Sequence, residues 1–253
     1  MDDVEKQIAE RIKQANNVLV AVNSNPNVDQ LAAAIGLTLM LNKMDKHGTS
    51  VFSGEVPSTI EFLQPEKTFE KDTNSLRDFI IALDKSKADK LKYKVEDRVV
   101  KIFITPYRTR IDQADLEFSQ GDFNVDVVVC LGVNNQEDLD QAITAHGRIL
   151  HDATVVSLNN SSADNKLGSS LNWHLDKASS LCEMVARLSD DLGKDVLDES
   201  VATALLTGIV AETDRFSNDK TSSETMTASA KLMAAGADQQ LVATKLEEPL
   251  APP

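Results

Sequence analysis

The chain has 253 residues, of which 42% are hydrophobic and 26% are charged, and its formal net charge is −14. These values predict a globular protein with a sizeable core. The negative charge argues against binding to duplex nucleic acid, whose phosphates it would repel, but it leaves room for a local nucleotide site. The two cysteines, Cys130 and Cys182, have no metal-type spacing, which predicts buried thiols and a reducing cytoplasm. No apolar run reaches the about 18 residues that a membrane span requires, so we expect no membrane partner.

Apolar runs and amphipathic segments alternate along most of the chain. Continuous apolar runs predict buried strands at 18–22 and 125–131, and further strands are predicted at 49–53 and 154–158. Helical periodicity predicts helices at 2–15, 30–43, 58–63, 138–150, 181–192, 199–212 and 222–235. Asn27 or Asp29 is the expected cap of the second helix, and Gly236 ends the last one. This order predicts an α/β fold with a parallel sheet and helices on both faces.

Residues 72–120 change this pattern. Four strand-like runs, at 79–83, 90–95, 99–105 and 114–118, are separated by turns rich in lysine, aspartate and serine. They predict an antiparallel sheet or a pair of hairpins within a domain that spans residues 1–246. This region is either a platform for a protein partner or an added edge of the sheet. The proline-rich end of the chain, residues 247–253, is expected to be disordered.

A polar loop follows the first predicted strand, at the sheet edge where parallel α/β proteins place their ligand sites. It consists of Asn23, Ser24, Asn25, Pro26, Asn27, Val28 and Asp29. The loop resembles the first motif of the DHH phosphoesterase family, the superfamily of RecJ-like nucleases and of phosphodiesterases of oligonucleotides or cyclic dinucleotides. The family pattern is His-x-Asn-Pro-Asp-x-Asp, so Asn23 replaces the His and Asn27 replaces the first Asp.

The second and third family motifs have lost their metal ligands. The family closes a strand with Asp where this chain has Gly132, and its Asp-His-His stands here as Leu158, Asn159 and Asn160. The stretch downstream resembles the family's Asp-x-x-Ala-Ser-Ser and Glu. Its matching residues are Asp176, Ala178, Ser179, Ser180 and Glu183.

The fourth motif is the strongest match. Residues 208–216 resemble the family's Gly-Ile-x-x-Asp-Thr-Gly-x-Phe, with Glu212 in place of the Asp and Asp214 in place of the second Gly. The resemblance covers roughly residues 15–65 and 122–240. It implies that residues 72–120 are an antiparallel β insertion, because the minimal domain of the family is more compact there.

Members of this family hold two divalent metal ions, usually manganese, which activate water for in-line attack on a phosphate. Carboxylates and imidazoles suit manganese, whereas amide oxygens are weak donors. Only Asp29 and Glu212 keep a carboxylate, so the resemblance implies a degenerate member with no catalytic residues and no expected cofactor. Both residues also have structural interpretations, Asp29 as a helix cap and Glu212 as a solvent-facing acid.

The retained frame predicts a ligand cleft in a binding or scaffold protein, with a small nucleotide or another anion as the expected ligand. The candidate cleft residues are Asn23, Asn25, Asn27, Asp29, Asn159, Asn160, Ser179, Ser180 and Glu212. The amides of a helix N-terminus near Ser179 are a further candidate for anion binding. The alternative is an active phosphodiesterase on short oligonucleotides or cyclic dinucleotides, with a reduced manganese or magnesium site at Asp29 and Glu212. The family's C-terminal substrate-binding domain is expected to be absent, which weakens that alternative.

Overall fold

The computed structural model describes residues 2–161 and 164–247, and of Asp2 and Asp3 it describes the backbone only. The strands over these residues are β1 Asn17–Ala21, β2 His47–Val51, β3 Phe69–Glu70, β4 Arg77–Leu83, β5 Ala88–Glu96, β6 Val99–Pro106, β7 Leu116–Phe123, β8 Val127–Leu131, β9 Thr154–Asn159 and β10 Leu171–His174. The helices are α1 Asp2–Gln14, α2 Val28–Lys43, α3 Gln141–Thr144, α4 Arg148–Asp152, α5 Leu181–Leu192, α6 Glu199–Glu212, α7 Ser223–Ala234 and α8 Gln239–Glu247. Ser58–Leu63 forms a 3₁₀ helix.

Six strands form one parallel sheet in the order β10-β9-β8-β1-β2-β3. The central strands are continuous apolar runs that are buried on both faces, as parallel sheets require. The α/β fold with a parallel sheet, predicted from the order of elements, is therefore confirmed.

Helices cover both faces of this sheet. Alternate strand residues, including Val18, Val20 and Val129, pack into one core cluster with residues of α1, α2, α5 and α6. The intervening residues, such as Leu19 and Cys130, are also buried but lie outside that cluster, and α4 contacts β9. The segment between β8 and β9, which contains α4, thus covers the second face of the parallel sheet.

Helix α2 lies at the centre of the larger core. Most of its residues are buried, and it packs closely on α6. A Cβ atom at Gly36 would lie 2.5 Å from Cδ2 of Leu205, so this glycine allows the two helices to approach. The close packing fixes the start of α2 and the end of α6, which both carry predicted site residues.

One predicted helix is wrong, and two elements of the structure have no counterpart among the predictions. The helix expected at 138–150 is broken into a 3₁₀ turn, α3 and α4. Leu139 is extended and bridges to Asn23, and Asp140 then caps α3 by accepting a hydrogen bond from Ala142 N at 2.9 Å. The sequence pattern predicts neither strand β10 nor helix α8. Residues 248–253 of the predicted disordered tail lie outside the described residues.

Residues Ser75–Asn124 form a separate compact unit, and the rest of the chain forms the other. The smaller unit consists of two antiparallel ladders, β4 with β7 and β5 with β6. The predicted antiparallel strands are therefore present. In the described residues no helix is long and apolar enough to cross a membrane.

Candidate functional site

A cleft of about 320 Å³ opens where the loops after β1, β8 and β9 meet the start of α5. In a parallel sheet these carboxyl ends lie on one edge, which is why residues far apart in sequence converge there. The predicted residues that line this cleft are Asn23, Asn27, Asp29, Asn159, Asn160, Ser179 and Glu212. The cleft also contains residues that the sequence did not single out as site residues, among them Gln30, Asp176 and Lys220.

Two predicted residues lie outside this cleft. Asn25 is exposed and lines a neighbouring pocket of about 240 Å³ with Ser24 and Asn134. Ser180 is fully buried and caps α5, where its Oγ accepts a hydrogen bond from Glu183 N at 3.0 Å. Ser180 therefore has a structural role at the start of the helix.

Asp29 binds the N-terminus of α5 rather than opening into free space. Its Oδ2 accepts a hydrogen bond from Leu181 N at 2.7 Å, and its Oδ1 accepts one from Cys182 N at 3.0 Å. The side chain is buried, and the desolvation of its charge raises the pKa of Asp29 to about 6 although both amides lower it. The chain thus places its own carboxylate on the helix amides that were a candidate anion site.

Gly208 of α6 makes room for this arrangement. A Cβ atom there would lie 2.2 Å from Cys182 Sγ and 2.7 Å from Asp29 Oδ1. The retained glycine of the fourth motif is therefore explained by close packing of α6 on the start of α5.

Asn27 is the cap of α2, one of the two residues expected there. Its Oδ1 accepts a hydrogen bond from Gln30 N at 2.8 Å, and Oε1 of Gln30 accepts one from Asn27 N at 3.1 Å. This reciprocal pair is a capping box. The amide nitrogen of Asn27 then donates to Glu212 Oε2 at 3.3 Å, so the cap also connects α2 to the end of α6.

Gln30 occupies the space beside Gly132, where the family places an aspartate. Gly132 has a φ of +65°, and a Cβ atom there would lie 2.8 Å from Gln30 Nε2. That nitrogen donates to Leu131 O at 3.1 Å, and Nδ2 of Asn23 donates to Gly132 O at 3.1 Å. Side-chain amides therefore tie the loop after β8 to the loop after β1.

The asparagines after β9 make the same kind of contact. Asn159 Nδ2 donates to Val133 O at 3.2 Å, and Asn160 Nδ2 donates to Ala178 O at 3.4 Å. A carbonyl partner can only accept, so each amide is oriented with its nitrogen toward the chain. These asparagines join the loop after β9 to its neighbours on both sides.

Glu212 carries the retained carboxylate of the fourth motif, and the ammonium of Lys220 pairs with its Oε1. The turn that brings Lys220 back is left-handed at Asp214, Arg215 and Phe216, with φ between 46° and 63°. Asn218 holds the turn, because its Nδ2 donates to Glu212 O at 3.0 Å and its Oδ1 accepts from Lys220 N at 3.1 Å. The cation beside this carboxylate thus belongs to the chain itself.

A second buried carboxylate supports the start of α5. Oε2 of Glu183 accepts hydrogen bonds from Ser179 N at 3.0 Å, from Ser179 Oγ at 2.6 Å and from Thr225 Oγ1 at 2.9 Å. The retained Ser and Glu of the downstream motif therefore fix the wall of the cleft and connect it to α7.

Among the described residues, no group of three or more His, Cys, Asp or Glu residues is placed to hold a metal ion. Sequence reasoning missed Gln30 and Lys220 as cleft residues. The Asn-x-x-Gln spacing of a capping box was readable at Asn27 and Gln30. Lys220 lies beside Glu212 because the intervening residues form a left-handed turn, and no sequence pattern predicts that turn.

Comparison with known proteins establishes the fold. No family model matches the chain, and no curated protein matches it in sequence. The chain is similar to an exopolyphosphatase-related protein from Bacteroides fragilis, with a TM-score of 0.71 and 13% identity over 98% of this chain and 61% of the other. It is also similar to a provisionally assigned family II inorganic pyrophosphatase from Methanococcus jannaschii, with a TM-score of 0.50 and 12% identity over 91% of this chain and 59% of the other.

The chain therefore spans about three fifths of the length of each of these proteins. Both neighbours belong to the DHH phosphoesterase superfamily. Identities this low establish the fold alone.

Proposed function

We propose that this chain is a degenerate DHH-type protein, in which contacts within the chain replace the two-metal centre and the cleft serves binding or scaffolding. Two features support the superfamily: the fold of the solved neighbours, and the placement of the motif residues around one cleft. The RecJ-like resemblance and the loss of activity are parts of the same proposal, as is the cytoplasmic location.

The observation that carries the proposal is the state of the two retained carboxylates. Both oxygens of Asp29 accept hydrogen bonds from backbone amides, and Glu212 is paired with Lys220. A metal ion at this place would have to displace those amides or compete with an ammonium group. The remaining family ligand positions are occupied by asparagine, glycine or leucine, whose side chains are weak ligands or none.

The proposed class of ligand is inferred from the hydrogen-bonding groups and the charge that line the cleft. The amide nitrogens of Asn23, Asn159 and Asn160 each donate to a backbone carbonyl, so the opposite end of each amide is an oxygen acceptor. Lys220 adds a cation beside these acceptors. We propose a small ligand that both donates and accepts hydrogen bonds, such as a nucleotide, with its anionic group at Lys220.

Calorimetric titration of manganese into the metal-stripped protein tests the loss of the centre. We expect no binding at millimolar metal, because the described part of the chain has no open set of carboxylates and imidazoles. Lys220→Ala provides the informative comparison, since it frees the carboxylate of Glu212. Weak binding of one ion that appears in this variant, and is absent in the unchanged protein, supports replacement of a metal by Lys220. Tight binding of two ions to the unchanged protein overturns the proposal.

An active phosphodiesterase is the second candidate function. The observation in its favour is that Asp29 and Glu212 line one cleft, close enough for the charge of Glu212 to raise the pKa of Asp29. This candidate requires one manganese or magnesium ion bound by the unchanged protein. It also requires metal-dependent cleavage of short oligonucleotides or cyclic dinucleotides that Asp29→Ala abolishes.

A further inference from the structure

A second and larger cavity, of about 970 Å³, lies between α5 and α7. We call it the α5–α7 cavity. Its size is typical of a pocket for a small organic ligand. Both helices line it, together with the turn before α5 and the loop before α7. It adjoins the candidate cleft, and the residues that line both are Asp176, Ala178, Ser179 and Lys220.

Glu183 of α5 offers one carboxylate oxygen to this cavity. Its Oε2 accepts hydrogen bonds from Ser179 and Thr225, which hold the start of α5. Its Oε1 has no hydrogen-bond partner among the described residues, and it is not one of the polar atoms sealed in the core without a partner. Since Glu183 lines the cavity, this oxygen faces that space. The exposed fraction of Glu183 is only 7%, so a charge that binds there is shielded from bulk water.

Two of the cations that line the cavity are neutralised from outside it. Nε and Nη2 of Arg187 contact the carboxylate of Glu5 at 3.0 and 2.8 Å. The ammonium of Lys220 pairs with Glu212. Neither Glu5 nor Glu212 lines the cavity. The positive charges of Arg187 and Lys220 are therefore offset by acids elsewhere in the chain.

The other two lining cations have acidic partners within the cavity. Nζ of Lys231 lies 2.7 Å from Oδ1 of Asp190 and also donates to Ala186 O at 2.8 Å. Hydrogen bonds at the start of α7 lower the pKa of Glu224, and the charge of Lys177 lowers it further. Each cation of the cavity wall therefore interacts with an acid before any ligand binds.

The acids that line the cavity outnumber its cations. They are Asp176, Glu183, Asp190, Asp219 and Glu224. Asp176 pairs with His174, whereas Glu183 and Asp219 form no ion pair within the described part of the chain. A buried carboxylate without a cation is costly, and a concave surface with excess negative charge raises the local concentration of cations. The cavity is therefore suited to a ligand with positive charge.

We propose that the α5–α7 cavity binds a linear aliphatic polyamine, with one primary ammonium group on Oε1 of Glu183 and a second directed to Asp219. An ammonium group donates a charge-assisted hydrogen bond to a carboxylate oxygen. The methylene chain suits the apolar part of the lining, which includes Leu175, Ala186 and Ala228. A metal ion fits less well, because the described residues contain no group of three or more His, Cys, Asp or Glu placed to hold one. This inference does not depend on the function of the candidate cleft.

Calorimetric titration of spermidine into the full chain, at about 0.15 M salt, tests the proposal. We expect saturable binding with equal numbers of spermidine molecules and chains. Glu183→Gln should weaken the affinity about tenfold, because glutamine keeps an oxygen acceptor for Ser179 and Thr225 but presents an NH₂ group to the cavity. Glu61→Gln is the matched control, because it removes the same charge from an exposed position outside the cavity. It should leave the affinity unchanged.

Two results overturn the proposal. The first is no saturable binding at about 1 mM spermidine. The second is binding that Glu183→Gln and Glu61→Gln affect equally, which would mean that the acidic chain attracts polyamines without a defined site. Thermal unfolding shows whether Glu183→Gln is folded. Should it be unfolded, the exposed Asp219→Asn decides: we expect affinity about threefold weaker, and an unchanged affinity overturns the proposal.

Discussion

Asp29 shows how the surroundings of a single side chain set its ionisation. The fold brings this carboxylate against the first amides of α5 and buries it, so that its exposed fraction is 3%. Two amide hydrogen bonds favour the charged form, and desolvation disfavours it more, which leaves the pKa of Asp29 raised to about 6. A buried carboxylate of this kind is a structural anchor whose strength depends on pH.

The pH dependence of stability should therefore carry a signature of Asp29. The pKa of about 6 in the folded protein lies above the ordinary aspartate pKa of 3.8, so the folded state holds the proton more tightly than the unfolded state. This contribution to the free energy of unfolding is fully present below pH 3.8 and is lost as pH rises through 6. The difference between the two pKa values corresponds to about 3 kcal/mol. The measurement is urea unfolding of the unchanged protein and of Asp29→Asn across this range.

Subtracting the two curves removes the titration of all other groups. The free energy of unfolding of the unchanged protein minus that of Asp29→Asn should fall between pH 4 and 6. It should not change above pH 7, because asparagine cannot titrate and Asp29 is by then fully ionised. A carboxyl titration of the folded protein by NMR measures the same pKa without a substitution. A difference that is flat throughout, together with an ordinary carboxyl pKa, would contradict the buried environment described for Asp29.

At the scale of secondary-structure elements, the contact of α5 with α6 sets the geometry of the cleft wall. Gly208→Ala adds a methyl group where Cys182 Sγ would be 2.2 Å away. In a helix interior, alanine normally stabilises by up to about 1 kcal/mol relative to glycine. Here we expect a net loss of about 1–3 kcal/mol in the free energy of unfolding, because the core cannot absorb the added volume. Denaturant unfolding measures it.

Gly147→Ala is the control for this substitution. No atom lies within 4 Å of a Cβ built at Gly147, and its φ of −53° suits alanine. The free energy of unfolding of Gly147→Ala should be equal to, or slightly higher than, that of the unchanged protein. Equal effects at the two glycines would show that Gly208 is not in the tight contact described.

The elements that the sequence predicted well are those whose signals are local. Residues 181–192 and 199–212 become α5 and α6 with the predicted bounds, because apolar periodicity and caps at Ser180 and Asp198 agree. The predicted helix at 138–150 failed because Asp140 also accepts a hydrogen bond from Ser53 N, 87 residues away. Tertiary contacts of this kind override the helix propensity of a segment, and the local sequence does not indicate them.

The same distinction explains the site. Convergence of Asn23, Asp29 and Asn159 was predictable, because the loops after parallel strands meet at one edge. The amide contacts to backbone carbonyls and the reach of Lys220 to Glu212 depend on three-dimensional packing. Sequence alone therefore places these residues at one edge of the sheet but does not give the contacts that their side chains make.

At the scale of the whole molecule, the division into two compact units predicts that the smaller unit can be removed without unfolding the larger one. The two ends of the unit Ser75–Asn124 lie next to each other. Asn124 N donates a hydrogen bond to Leu76 O at 2.7 Å, and Arg77 of β4 pairs with Phe123 of β7. Residues 77–123 can thus be replaced by a short glycine-serine linker without stretching the chain. We expect the remaining protein to fold, because the parallel sheet and its helices form their own core.

Trp173, the one tryptophan of the sequence, reports on this core without interference from the removed unit. It is buried in β10, with the guanidinium of Arg187 5.9 Å from its ring centroid. The shortened protein should keep the blue-shifted emission of Trp173 and a cooperative unfolding transition. Red-shifted emission with no transition would mean that the core needs the β unit to fold.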